Sequence, residues 1–357
     1  MLLLIYIKTM EQTILRRKQI ILFFLVFLSL HSLSYAEFQE DNKIEYLKPY
    51  KKHKVVLLSD NDAYVNIYSD KYYSAAHRIE YISPEWNFHG EDNKSKASWL
   101  GKISVYPKNN VTSYFVSISQ EIYTPDDKSE NVSEFDHPYA GGLYFSIGVN
   151  QRRDTSFERI WLDIGVVGKY SFAENVQNGI HQSVNTEHNS ALPWSNQVGD
   201  EFIMNLHYSW TGKLRVINTN IISAHLLPQA AISLGNASTY LDLNMRLKIG
   251  HNLDASFGTP KMNFGQDFNG VINDDFSIYV YGGIGYRFTL RNIYIQGNTW
   301  EDPFRQDLDP FVYYFEGGLA IAYKGFELSY SVTHKSKEYT GQPSNHTFGS
   351  IMLSFAI

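Results

Sequence analysis

The fold is indicated by nine residues near the middle of the chain, Leu241-Asp242-Leu243-Asn244-Met245-Arg246-Leu247-Lys248-Ile249. Odd-numbered positions are apolar, and even-numbered positions are charged or amide. Because successive side chains of a β-strand point to opposite faces, this alternation predicts a strand with one apolar face. The pattern returns in 277–290, 310–324, 326–335 and 346–357. A soluble antiparallel sheet can alternate in this way, but repeated strands of about ten residues with one apolar face are what a transmembrane β-barrel requires.

The N-terminal residues 1–36 have the organisation of a bacterial signal peptide. Arg16-Arg17-Lys18 forms a positive n-region, and Ile20–Leu30 is an apolar run of the length of an h-region. Ser34-Tyr35-Ala36 supplies the small residues of a cleavage site, so 37–357 would be the mature barrel domain. A single N-terminal anchor helix is the alternative, but the run is short for a bilayer. A secreted chain with barrel strands is expected in the bacterial outer membrane.

Composition narrows the class of protein further. The 26 Tyr and 22 Phe are enough for the aromatic girdles of a membrane barrel. The absence of cysteine excludes disulfides, thiol catalysis and thiolate metal sites. A net charge of −6 offers no basic stripe for nucleic acid.

The sequence as a whole predicts an all-β, transmembrane antiparallel β-barrel, and it gives no sign of a second domain. The candidate strands are 54–60, 72–83, 111–121, 141–150, 158–169, 201–211, 213–225, 228–235, 238–250, 277–290, 310–324, 326–335 and 346–357. Closed bacterial barrels have an even number of strands. We therefore expect one of these thirteen candidates to be spurious or a continuation of its neighbour, leaving about twelve strands.

The connections between the candidate strands differ in length. Gly235-Asn236 and Lys324-Gly325 predict tight periplasmic turns, and the longer polar segments are expected to be extracellular. The two longest are 84–110 and 170–200. Long loops with little strand character are usually functional or disordered. The second contains His181, which directs the search for chemistry to this loop.

Three polar clusters exceed what a barrel lumen normally needs. Ser59-Asp60-Asn61-Asp62 fits either an ordinary Asx turn or oxygen ligands for Ca²⁺. Asp70-Lys71-Tyr72-Tyr73-Ser74 opens the next strand, which could bring Ser74 beside Asn61 and Asp62. In the long loop, Glu187 follows His181 by six residues. A neutral histidine can deprotonate a water or a serine, although a lone loop histidine is more often simply solvated.

Several segments, in order, resemble the lipid A 3′-O-deacylase family of outer-membrane esterases. The first is Asn61-Asp62 followed by Asp70-Lys71-Tyr72-Tyr73-Ser74, where Ser74 takes the place of the family's usual threonine. The segments that follow are Gln120-Glu121-Ile122-Tyr123-Thr124-Pro125, Asp136-His137-Pro138-Tyr139-Ala140-Gly141, Val176-Gln177-Asn178-Gly179-Ile180-His181, Pro193-Trp194-Ser195-Asn196-Gln197 and 290–299. Each segment alone is weak evidence, but the ordered set covers most of the mature chain.

The resemblance implies a twelve-stranded barrel with its active site between the wall and an infolded extracellular loop. The implied activity is hydrolysis of the 3′-linked acyloxyacyl chain of lipid A by a water molecule, with His181 as the general base and Ca²⁺ polarising the ester carbonyl. Asn61, Ser74 and Lys128 fall on further catalytic positions. The implied metal ligands are Asp62, Glu187 and Ser74. Lipid A in the outer leaflet is then the partner, and we expect the barrel to be a monomer.

Two other functions fit the same residues. A small porin or adhesin would place them along a lumen and would not be an enzyme. An outer-membrane phospholipase would use Ser74 as the nucleophile and His181 as its base, with Ca²⁺. Comparing Ser74→Ala with Ser74→Thr separates this phospholipase from the water mechanism, because threonine should largely preserve the latter.

Overall fold

A computed structural model of the chain describes residues 47–88, 98–105, 110–128, 136–183, 191–264, 271–272, 274–300 and 306–357. The signal-peptide prediction and Glu187 lie outside these residues. The described part is dominated by strands joined in one antiparallel sheet. The strands are β1 (Lys54–Asn61), β2 (Tyr72–Ile82), β3 (Val111–Thr124), β4 (Ala140–Arg152), β5 (Ser156–Val167), β6 (Glu201–Gly212), β7 (Leu214–Asn218), β8 (Ser223–Gly235), β9 (Ser238–His251), β10 (Ser277–Asn292), β11 (Phe311–Tyr323), β12 (Phe326–Lys335) and β13 (His346–Ala356).

The sheet closes into a ring of twelve strands. β1 pairs with β13, and β6 pairs with β8 from Asn205↔Gly235 to Thr211↔Gln229. The short β7 continues the register of β6, because Leu214 pairs with Leu226 of the same β8. The predicted strand 213–225 was therefore β7, its turn and the start of β8. The expectation of a twelve-stranded barrel with one continuation is confirmed.

The alternation in β9 is inverted relative to a soluble protein. Asp242, Asn244, Arg246 and Lys248 point into the barrel and are fully buried, whereas the apolar positions between and beside them point outward. More than a third of the surface of Leu247 is exposed. A large exposed apolar surface over charged, buried positions is stable only where lipid covers the outside.

Aromatic pairs mark both ends of this apolar outer face. Phe288 and Phe311 lie 5.0 Å apart, centroid to centroid, where β10 and β11 meet near one end. Phe326 and Phe355 lie 5.5 Å apart near the other end. Such rings at the two membrane–water interfaces are typical of outer-membrane barrels.

Both ends of the described barrel lie at one rim, where His53 N donates to Ile357 O at 2.9 Å. The two-residue turn Lys324-Gly325 lies at this rim with positive φ at both residues, 50° and 79°, as a type I′ hairpin requires. Three of its connections, 153–155, 219–222 and 324–325, are short, which identifies this rim as periplasmic. Two predictions were wrong: the Gly235-Asn236 turn is at the extracellular rim, and the segment 84–110 starts and ends at the periplasmic one. The length of a single connection does not fix its rim, because connections alternate between the two rims from strand to strand whatever their length.

A segment from the periplasmic rim fills the lumen. Residues 252–264, which we call the lumen segment, leave β9 and run up inside the barrel. Lys261 Nζ lies 2.8 Å from Glu316 Oε2, and Arg246 donates to Thr259 O at 3.0 Å. Near the segment's far end, Asn263 donates to the Tyr123 hydroxyl at 3.2 Å. Above it remains a polar cavity lined by Arg78, Glu121, Asp163, His207 and Arg287, among others.

Two short helices lie among the connections, α1 (Ala173–Ser183) between β5 and β6 and α2 (Ile293–Gln296) after β10. Among the described residues, none of the helices is long and apolar enough to cross a bilayer. Helix α1 lies at the extracellular rim, within the long loop 170–200 that the sequence analysis singled out because it contains His181.

Candidate functional site

Helix α1 packs against the outer side of the barrel wall near the extracellular rim. Ala75 of β2 and Ile122 of β3 are opposed in the ladder and point outward, because Ala76 and Tyr123 on either side of that pair point into the lumen. Both outward residues are nonetheless buried. They are covered by the helix-docking cluster, whose members are Ala75, Ile122, Tyr139, Ala173, Leu192 and Trp194. The extracellular loop therefore packs against the wall on its lipid side.

Trp194 holds α1 in this position. Its side chain is 2% exposed and lies 5.0 Å from the ring of Tyr139, centroid to centroid. Its indole Nε1 donates to Gln177 Oε1 at 3.1 Å. On the next residue of the helix, Asn178 Oδ1 accepts from Leu192 N at 2.8 Å. These bonds fix the rotation of α1, and with it the direction of the side chains on the face that carries Gln177.

Three side chains, two of them on this face, meet around Asp70, and we call the four residues the Asp70 cluster. Gln177 Nε2 donates to Asp70 Oδ1 at 2.8 Å. Lys128 Nζ lies 3.1 Å from Asp70 Oδ2, and His181 Nε2 lies 3.5 Å from the same oxygen. Gln177 and His181 are four residues apart, so they share one helix face. The arrangement places an imidazole, an ammonium and a carboxylate together at the membrane's outer surface.

Ser74 lies at an irregularity of β2 beside this cluster. The β2–β3 register shifts between Tyr73 and Ala75, so Ser74 is the extra residue of a β-bulge, a feature common next to active sites. Its hydroxyl makes a short hydrogen bond to Thr124 Oγ1, and Thr124 Oγ1 also donates to Asp70 O at 3.0 Å. Thr124, at the end of β3, thereby connects the bulge to the backbone of Asp70.

Asn61 and Asp62 form the turn that leaves β1. Asn61 Oδ1 accepts from Ala63 N at 2.7 Å, which caps a 3-10 turn. The buried Asp62 accepts through Oδ2 from Ser69 Oγ at 2.8 Å and from Lys71 N at 2.9 Å. The pKa of Asp62 is raised to about 7. Burial is the main cause. The hydrogen bonds from Lys71 and Ser69 act in the opposite direction, and the nearby charge of Asp70 also raises the pKa. The Asx-turn interpretation of this motif is thus correct for Asn61, while Asp62 is a buried carboxylate close to the Asp70 cluster.

His137, which belongs to another of the motifs, has a different environment. It is fully buried, with Nδ1 2.6 Å from Pro138 O and its ring stacked on Tyr123 at 5.5 Å. Burial lowers the pKa of His137. His137 therefore has a packing role, and His181 is the histidine that belongs to the Asp70 cluster.

The structure brings some of the predicted site residues together and not others. His181 and Lys128 meet through Asp70, and Asp62 lies within reach of the charges of Asp70 and Lys128. No hydrogen bond or ion pair joins Ser74 to His181 in the described part of the chain, which gives no support to a serine nucleophile. Glu187 falls outside the described residues. Within them, no three His, Asp or Glu side chains converge as a ready metal site.

Sequence reasoning missed two members of the cluster, Asp70 and Gln177. Both lay inside motifs that had been singled out, but neither had been given a role. The signal available was the spacing of four between Gln177 and His181, which places both side chains on one face of a helix. Asp70 could not be found in this way, because its partners are 58 residues or more away in the chain.

A closed ring of strands with an apolar outer face and a charged lumen defines the class of the protein: an integral β-barrel of the outer membrane. The sequence model of one family, described as "Outer membrane protein LpxR", matches residues 22–357. The chain belongs to this family and is an outer membrane protein. Comparison with curated protein sequences finds no match.

Solved structures support the same fold. LpxR from Salmonella typhimurium aligns with a TM-score of 0.68 at 16% sequence identity, covering 85% of this chain and 100% of that one. The β-domain of the Bordetella autotransporter BrkA covers 85% of this chain and 96% of its own, at 10% identity and a TM-score of 0.40. The first match confirms the expected barrel, and the second carries no weight beyond it.

Proposed function

We propose that this protein is an outer-membrane lipid A-modifying enzyme that hydrolyses the 3′-linked acyloxyacyl ester of lipid A. The observation that carries the proposal is the Asp70 cluster, held against the lipid side of the wall in a chain of the LpxR family. A lipid in the outer leaflet reaches this side laterally, without entering a lumen. The lumen segment argues against the porin alternative, because it occupies the path that a solute would take through the barrel.

His181 is the general base in this proposal. Ester hydrolysis needs a nucleophile that has lost its proton by the time it attacks the carbonyl. The imidazole of His181 accepts the proton of a water molecule, and the water oxygen forms the new bond to the acyl carbon. The same proton is then passed to the sugar oxygen as the ester bond breaks, so that a fatty acid and a free hydroxyl result. His181 Nδ1 is buried and has no hydrogen-bond partner within the described residues, so a water molecule bound there would satisfy it.

Asp70 and Lys128 supply charge beside this base. The carboxylate of Asp70, 3.5 Å from His181 Nε2, stabilises the imidazolium that forms when the proton is taken. Lys128 lies on the other side of the same carboxylate oxygen and offers a positive charge toward the oxyanion that develops on the acyl carbonyl. Gln177 holds the other oxygen of Asp70, so the carboxylate keeps its orientation through the reaction.

The donor set fits Ca²⁺, which prefers oxygen ligands. Asp62 is a buried carboxylate, and no hydrogen bond reaches its Oδ1 within the described residues. Ser74, as the extra residue of a bulge, keeps its backbone carbonyl outside the ladder pairs. With Glu187, these would hold the ion, and Asn61 would fix the turn that carries Asp62. When bound, Ca²⁺ supplies Lewis-acid polarisation of the ester carbonyl.

The test is the acyl pattern of lipid A. Cells that express the protein should yield lipid A lacking the 3′-linked chain by mass spectrometry, and His181→Ala should restore that chain. Removal of a general base costs about 10²–10⁴ in rate. His334→Ala is the matched control, because His334 is an outward-facing rim histidine whose side-chain bonds within the described residues go to Thr347 of β13 and to Asn345 just before it. Equal acyl release by the two alanine variants would show that His181 is not the base.

Metal dependence provides a second prediction. Exhaustive chelation should abolish release of the acyl chain by the purified protein, and Ca²⁺ should restore it, because oxygen-only ligands favour this ion over softer metals. Asp62→Asn should weaken the response to added Ca²⁺. Hydrolysis that continues undiminished after chelation would remove the metal from the mechanism while leaving the role of His181 in place.

A further inference from the structure

A row of polar residues crosses the outer face of the wall directly below α1. Ser59 of β1 pairs with His77 of β2, and His77 pairs with Gln120 of β3. All three point outward and are half-buried. We call this row the polar shelf. It lies one cross-strand pair below Ala75 and Ile122, on which α1 docks, and therefore about 7 Å from them along the strands.

The residues around the shelf show that it is not a general property of this level of the barrel. In the same row, its two neighbours are Ile351 on one side and Leu143 on the other. One pair lower, toward the membrane core, Leu57, Ile79 and Ile118 are all well exposed on the apolar face. The polar residues are thus confined to three adjacent strands, where the outer face reaches the loop that carries α1.

The shelf is organised by hydrogen bonds and keeps one donor or acceptor for a ligand. Ser59 Oγ lies 2.8 Å from the Tyr64 hydroxyl and 3.1 Å from His77 Nδ1. Gln120 Nε2 donates to Ser171 O, just before α1, at 2.7 Å. No hydrogen bond reaches His77 Nε2 within the described part of the chain. When Nδ1 accepts from Ser59, Nε2 carries the proton and can donate to an oxygen on the lipid side.

We propose that the polar shelf is a substrate subsite that receives the sugar-proximal ends of the acyl chains of lipid A, with His77 donating to an ester or hydroxyl oxygen there. A polar group facing hydrocarbon without a partner is costly. Acyl chains that carry oxygens close to the sugar would satisfy the shelf, while their alkyl ends lie along Leu57, Ile79 and Ile118. This inference rests on the proposed function, since it assigns the lipid that the Asp70 cluster would act on.

The experiment compares the purified wild-type protein with the double variant Ser59→Ala/His77→Leu in mixed micelles. We expect KM for lipid A to rise about tenfold, the effect of losing one to two hydrogen bonds, while kcat stays near the wild-type value. Direct binding of lipid A, measured without turnover, should weaken by the same factor. His334→Leu is the matched control: His334 is also an outward histidine paired with a hydroxyl, that of Thr347, but it lies on β12, away from α1.

The outcomes separate the two proposals. If the wild-type protein releases no acyl chain, the proposed function fails, but the binding measurement still decides the shelf. Unchanged lipid A binding by the double variant overturns the shelf, as does an equal loss in His334→Leu, which would indicate a general effect of rim polarity. Binding of phosphatidylethanolamine is measured in parallel, and a loss confined to that lipid would also overturn the assignment to lipid A.

Discussion

Asp70 uses its two carboxylate oxygens for different partners. Oδ1 accepts a hydrogen bond from Gln177, whereas the buried Oδ2 faces Lys128 and His181 without accepting a hydrogen bond from either. Oδ2 therefore interacts with the two basic side chains through charge, at distances of 3.1 and 3.5 Å. The contribution of Asp70 to its two basic neighbours is therefore mainly electrostatic.

Replacing this charge gives a prediction at the residue scale. Asp70→Asn keeps the shape of the side chain and can keep a bond with Gln177, but it removes the charge that stabilises an imidazolium. Charge-assisted contacts contribute roughly 1.5–3 kcal/mol, so kcat should fall about 10- to 100-fold with KM little changed. Asp126→Asn is the control, because Asp126 pairs with Lys71 at the exposed rim. A parallel rise of KM, or equal losses in both variants, would contradict an electrostatic role for Asp70.

At this scale, the sequence predicted the chemical groups but not their partnership. His181 and Lys128 were found from ordered motifs. The role of Asp70 depends on three elements that meet only in the folded chain: the start of β2, the loop after β3 and helix α1. Local spacing carries no information about such a meeting, because each contact spans at least 58 residues between Asp70 and its partner.

At the scale of elements, helix α1 is stabilised by its contacts with the barrel wall and with Trp194. Its sequence, with a glycine and few strong apolar positions, would not make a stable helix of this length alone. Docking on Ala75 and Ile122 and the contacts of Trp194 supply the missing stability. The segment 170–200 was expected to be functional, but the helix within it was not predicted, since its helical state depends on this docking.

Two substitutions of Trp194 separate packing from hydrogen bonding. Trp194→Ala removes a buried ring, a change that typically costs about 3–5 kcal/mol, and should release α1 while leaving the barrel intact. Trp194→Phe keeps a ring against Tyr139 but loses the donor to Gln177 Oε1, so it should keep α1 docked with reduced activity. Deuterium uptake by peptides of α1, referenced to strand peptides, measures this. Equal uptake by the wild-type protein and Trp194→Ala would show that the helix is held by other contacts.

At the scale of the whole molecule, the strands with their lipid-facing residues were predictable, whereas the contents of the lumen were not. A period of two, repeated over strand after strand, predicted the barrel, and the rule that closed bacterial barrels have an even number of strands reduced thirteen candidates to about twelve. The lumen segment was unpredictable because its charges have partners only once the ring has closed: Lys261 is buried against Glu316 of β11, and Arg246 of β9 is shared between Glu316 and the segment backbone. In the linear sequence, the lumen segment looks like an ordinary polar loop.

The lumen segment gives a prediction for permeability. Proteoliposomes that contain the wild-type protein should not swell in small sugars, because contacts from β9, β10 and β11 hold the segment across the lumen. Replacing residues 254–263 by a Gly/Ser linker of equal length should open the barrel and allow swelling. Lys261→Arg, which keeps the charge beside Glu316, should stay closed. Free sugar passage through the wild-type protein would contradict the blocked lumen and favour a porin.

This filled lumen has a consequence for the cell that makes the protein. An outer membrane resists hydrophilic antibiotics only as long as each barrel inserted in it is either selective or sealed. Because the lumen segment occupies the interior and the Asp70 cluster lies on the lipid side, we expect extra copies of the protein not to add open pores. With the proposed activity, a bacterium could raise the abundance of this barrel and modify its lipid A without making its outer membrane more permeable to hydrophilic antibiotics.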